Sequence, residues 1–71
     1  MTPRPQVDLY SGTDELLERF VLASHRCGYM AIEKTLGSHL EPMVVLTLPA
    51  KRTPELTCAL DWWKAHHRDR T

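Results

Sequence analysis

Residues 42–49, PMVVLTLP, form a β-branched apolar run closed by a proline at each end, and no other stretch constrains the fold as much. Such a run reads as a strand. A strand cannot stand alone, because its backbone N–H and C=O groups need partners. The nearest candidate partner is residues 29–36, YMAIEKTL. There Met30, Ile32, Lys34 and Leu36 fit the alternation of a strand, while Tyr29, Ile32 and Leu36 also fit one face of a helix. The turn-like GSHLEP joins the two stretches. The need for a partner decides for a β-hairpin.

Helices are expected on either side. In SGTDELLERFVLASHRCG, residues 11–28, Thr13 is a suitable N-cap and Gly28 a suitable stop. Asp14 and Glu15 sit where the helix dipole favours negative charge. Leu16, Leu17, Phe20, Ala23, Ser24 and Cys27 share one face, and Asp14, Glu15, Glu18, Arg19, His25 and Arg26 share the other. In TPELTCALDWWKAHHRDR, residues 53–70, Thr53 as N-cap with Pro54 at the first helical position is a strong start signal. The predicted fold is therefore α+β: a small two-layer domain in α-β-β-α order, with a two-stranded antiparallel hairpin packed against two helices. Residues 1–10 read as a flexible N-terminal arm because of their spaced prolines, and residues 11–71 as one domain.

The size of the chain makes its surface informative. A domain of 71 residues buries only about 60% of the surface its unfolded form exposes, so its core is marginal. Yet the second helix carries more apolar surface than one core needs. Ala59, Leu60, Trp63 and His67 fall within about 60° of Leu56 around the helix, whereas Trp62 lies about 120° away with Cys58 and Ala65. His66 falls between the two sets. Met43 and Val45 on the predicted strand, and Tyr29 beside it, add to the excess. A hairpin edge also invites pairing with another chain. Trp62, Cys58, His66, Tyr29, Met43 and Val45 are accordingly the candidate contact residues for a protein partner, with homodimerisation expected.

Other chemistries find less support. Nine Lys and Arg against nine Asp and Glu leave the chain neutral, whereas nucleic-acid binders are normally basic. Lys51, Arg52, Lys64, Arg68 and Arg70, with the nearby aromatic residues, are the candidates for that second reading. The central AIEKTLGSHL lacks the second helix of a helix-turn-helix motif, since a strand signal follows it. A structural zinc site is a third reading, but no CxxC, HxxxH or finger-like spacing occurs, so no metal ligand is assigned. Nothing matches a nucleophile elbow, a phosphate-binding glycine loop or a pair of pocketed carboxylates. An enzyme is not expected, nor any cofactor.

Two cysteines are too few for a secreted disulfide framework, no leader-like segment opens the chain, and no apolar run reaches the ~20 residues of a membrane span. The cysteines read as free core or interface residues, and the location as cytoplasmic. The resulting expectation is a small regulator or inhibitor acting by occupancy of a larger protein, of the kind phages encode as accessory proteins, on analogy of class alone.

Overall fold

The structure is a computed structural model that describes residues 6–67. Its elements are β1 (Gln6–Ser11), α1 (Asp14–Arg26), β2 (Ile32–Leu36), β3 (Pro42–Leu48) and α2 (Pro54–His66). The α+β class stands, but the order is β-α-β-β-α, and the sheet has three strands in the order β1-β3-β2. The expected two-stranded hairpin is thus incomplete. Residues 6–10, read from the sequence as part of a flexible arm, belong to β1, which pairs antiparallel along the whole of its length with β3. Residues 1–5 of that arm lie outside the described residues. The third strand has a physical reason: with β2 alone, β3 would keep one side of its backbone unpaired, and β1 supplies the missing ladder.

Local signals place the helices. The Thr13 and Thr53 hydroxyls accept from the N–H groups of Leu16 and Leu56, each at 3.1 Å, and cap α1 and α2. Helix α1 ends where Gly28 turns to φ 91°, a conformation open to glycine. The Gly28 and Tyr29 N–H groups then donate back to the His25 and Ser24 carbonyls at 3.0 and 2.8 Å, the paired bonds of a Schellman stop. This reversal aims Tyr29 into the core.

Both helices cover the same face of the sheet. Leu17 and Phe20 from α1, Leu56, Ala59 and Trp63 from α2, and Ile32, Val44 and Leu46 from the sheet form one buried cluster with Tyr29. Lys34 adds a polar tie, with its ammonium bonded to Asp14 and, at 3.1 Å, to Glu18. The bonds that the ammonium donates, to Asp14 first and Glu18 second, hold its pKa above the ordinary lysine value, and the same contacts tie β2 to α1. The β2–β3 turn places Leu40 at φ 63°, with its side chain three-quarters exposed.

Candidate binding surfaces

Strand pleating divides the sheet into two faces. Val44 and Leu46 point into the core, so Met43, Val45 and Thr47 point the other way. Register then places Leu9 and Glu33 beside Val45, Ser11 and Thr35 beside Met43, and Val7 beside Thr47. Neither helix lies on this face. Its apolar half, Val7, Leu9, Val45 and Met43, lies toward β1, and its polar half, Glu33 and Thr35, lies toward β2. Val7 and Leu9 are 49% and 62% exposed. They were missed because a strand was not expected there. The alternation of Val7 and Leu9 with Asp8 and Tyr10 was the available signal.

Trp62 and His66 stand elsewhere, in the helix layer. Trp62 is half-buried, its ring nearly parallel to Phe20 with centroids 6.0 Å apart and to His66 with centroids 4.1 Å apart. The His66 ring bonds through Nδ1 to the Trp62 carbonyl at 2.8 Å. Since a carbonyl only accepts, Nδ1 is the protonated nitrogen. His67 and Trp63 repeat the arrangement, with ring centroids 4.7 Å apart and an Nδ1-to-carbonyl distance of 2.7 Å. The Trp63 carbonyl also accepts from the His67 backbone N–H at 2.9 Å, so the imidazoles add second bonds to carbonyls at the end of α2. The stretch WWKAHH is a helix terminus made of two stacked pairs.

Around Trp62 the two helices leave an open groove of about 330 Å³, walled by Arg19, Leu22, Ala23 and Arg26 of α1 and by Trp62 and His66 of α2. A second groove adjoins it on the other side of Trp62, where Ala23 and Arg26 are joined by Cys27, Cys58 and Asp61. The sequence places Arg19 and Arg26 on the polar face of α1, opposite Ala23. Their spacing with Leu22 and Ala23, i, i+3, i+4 and i+7, was the signal that they form one stripe.

Four of the expected contact residues require correction. Tyr29 is buried at 8% exposure and its hydroxyl donates to the Thr47 carbonyl, so it serves the core. Burial raises its pKa. Cys58 is bonded to Cys27, their Cα atoms 5.8 Å apart, so neither is the free thiol the sequence suggested. The loop so closed spans 31 residues, a pairing that local spacing does not reveal. Finally, Met43 and Val45 do not share a surface with Trp62 and His66, because the sheet separates them.

Among the described basic residues, Lys51 and Arg52 precede α2 while Lys64 lies in its last turn, about 15 Å along the helix from Pro54 at 1.5 Å per residue, so they form no common patch. Arg52 uses its Nε in a 3.0 Å bond to the Thr57 hydroxyl. Arg68 and Arg70 lie outside the described residues. Among the described residues, no group of three or more His, Cys, Asp and Glu is placed to hold a metal ion, and the disulfide takes up the two thiols a zinc site would use first. No described helix is long and apolar enough to cross a membrane. No family model matches the chain, and no curated protein or solved structure shows significant similarity to it. Its two uncovered surfaces, the bare sheet face and the helix seam, are what a function must be read from.

Proposed function

We propose that the chain is a small, non-enzymatic protein–protein interaction module, a regulator or inhibitor that acts by occupancy, and that it pairs with a second copy of itself through β1. The observation carrying this reading is the uneven sheet face. Val7 and Leu9 make the β1 edge of this face apolar up to Ser11, next to Val45 and Met43 on the central β3, whereas Glu33 and Thr35 make the β2 edge polar. Joining two copies by their β1 strands merges the apolar halves into one continuous surface and removes an exposed edge. Joining them by β2 would set Glu33 near its own copy and disturb Lys34, already engaged with Asp14 and Glu18. The β1 edge is the better one on both counts.

A dimer built this way leaves the merged apolar surface facing outward, where a larger partner would be covered or held. Nucleic acid ranks second, because Lys51 and Lys64 stand at opposite ends of α2 and the formal charge is zero. The Cys27–Cys58 bond supports a setting oxidising enough to preserve it, against the cytoplasmic location expected from the sequence, where thiols are kept reduced.

Light scattering over a concentration series is the test. The native chain is expected to approach twice its 8.2 kDa mass as concentration rises, and Leu9→Lys to remain monomeric with unchanged circular dichroism. A native chain that stays monomeric throughout removes β1 pairing, and a Leu9→Lys dimer removes the surface assigned to it.

A further inference from the structure

We propose that the seam between α1 and α2, centred on Trp62, binds an acidic amphipathic helix of a partner protein. This extends the reading of the chain as a protein-binding module, on a surface separate from the sheet. Arg19, Leu22, Ala23 and Arg26 wall the groove as one i, i+3, i+4, i+7 stripe. The two arginines are therefore about 10.5 Å apart along α1. Carboxylates at i and i+7 of a facing helix match that interval. Apolar residues at i+3 and i+4 of the same helix then meet Leu22, which is 58% exposed, and Trp62. This is the helix-in-groove mode of recognition with its charge pattern set by the host.

The local charge favours an acidic occupant although the chain is neutral. Arg26 has no ion-pair partner among the described residues. Arg19 pairs with Glu15 at 3.1 Å, but the two side chains are 65% and 76% exposed. Such an exposed pair contributes little and exchanges readily for a better one. His66 adds a ring whose Nδ1 is already committed to the Trp62 carbonyl, which leaves Nε2 for a further partner. The opposing charge is Asp61, in the adjoining groove.

The same geometry disfavours a nucleic acid. Single strands are held by stacking bases on open aromatic faces. Trp62 already stacks within the protein, on His66 at 4.1 Å and, more offset, beside Phe20 at 6.0 Å, so its ring is a poor platform for a base.

Chemical-shift mapping on the intact, oxidised chain tests the proposal. The probes are a helical peptide of about 16 residues with glutamates at i and i+7 and leucines at i+3 and i+4, its counterpart with lysines for the glutamates, and a short oligo-dT strand. The acidic peptide is expected to shift the Trp62 indole N–H and the Leu22 methyl resonances. Its affinity is expected to fall at least about fivefold in Arg19→Gln/Arg26→Gln, as two exposed charge contacts are lost together. Circular dichroism should be unchanged in that variant, which removes no buried group. The proposal is overturned if the lysine peptide or oligo-dT binds the same resonances as well. It is equally overturned if the double variant keeps full affinity, or if no shift appears up to ~1 mM peptide, the weak end of specific recognition. Light scattering on the β1 edge reads none of these residues, so either proposal can fail without the other.

Discussion

Trp62–His66 and Trp63–His67 are the same pair of residues, at the same spacing, with the same stacking and the same Nδ1 bond to a carbonyl. One residue step separates them, a rotation of about 100° around α2. That rotation sends Trp63 inward, to 9% exposure, against Phe20 at 4.7 Å and Tyr10 at 5.0 Å. It sends Trp62 to the outer seam, half-buried between Phe20 and His66. Identical local chemistry thus has two different duties, and the surroundings of each ring, which helix phase selects, decide which. The inner pair holds the β1 strand and both helices together. The outer pair makes a wall of a groove.

The largest test of that contrast is to delete each ring. Trp63→Ala is expected to cost roughly 3–5 kcal/mol, as for other buried aromatic residues. A domain of this length has only about 4–10 kcal/mol to lose, so the variant should be largely unfolded by circular dichroism. Trp62→Ala should cost no more than roughly 1–2 kcal/mol, mainly its stacking on Phe20 and His66, and should melt cooperatively at a modestly lower temperature. Equal losses from the two substitutions would erase the distinction between the pairs.

Opening the disulfide should discriminate between them with a smaller effect on stability. The Cys27–Cys58 bond ties the end of α1 to the exposed side of α2 and borders the groove beside Trp62. Closing a loop of 31 residues stabilises by roughly 3–4 kcal/mol on chain-entropy grounds, with measured values often lower. Reduction, or Cys27→Ser/Cys58→Ser, is expected to lower the thermal midpoint. It should also shift the Trp62 indole resonance more than that of Trp63. A larger response at Trp63 would mean that the bond supports the core and not the seam.

What could be read from the sequence follows the range of the interaction involved. Thr13, Thr53, Pro54 and Gly28 act within one turn of their own helix, so capping signals placed both helix starts and the end of α1. The run from Pro42 to Leu48 declared itself a strand by composition. The missing pieces are all non-local. Strand β1 exists because residues 6–11 find β3 more than thirty residues away, and the prolines before it in the sequence, Pro3 and Pro5, suggested only an extended arm. The disulfide joins two helices. Tyr29 was placed on a surface because Gly28 announces where α1 stops but not that the turn after it carries Tyr29 inward. The helix wheel correctly parted Trp62 from Trp63, yet it could not show that α1 supplies Arg19 and Arg26 to the outer ring, since that depends on how two helices meet.

Tyr10 gives the contrast its finest test, because it packs edge-on against Trp63 and Phe20 and is not among Trp62's stacking partners. Its phenol pKa is raised, first by burial and then by the neighbouring Asp8 carboxylate. The sign follows directly. With the folded pKa above the unfolded value of about 10, the folded state keeps its proton when the unfolded state has lost it. The stabilisation is complete below the unfolded pKa and is lost as pH rises through the folded one. Tyr29 and Lys34, also raised, act in the same direction. The domain is therefore expected to lose stability as pH climbs past about 10. Tyr10→Phe should be nearly neutral at pH 7, since its 3.4 Å hydroxyl contact with Asp8 is exposed, within about 0.5 kcal/mol. It should make the alkaline loss shallower and leave the part due to Tyr29 and Lys34. Denaturant melts of both proteins at a series of alkaline pH values measure this. Parallel curves would mean that the inner pair is indifferent to the charge on Tyr10, and that Tyr29 and Lys34 carry the alkaline transition alone.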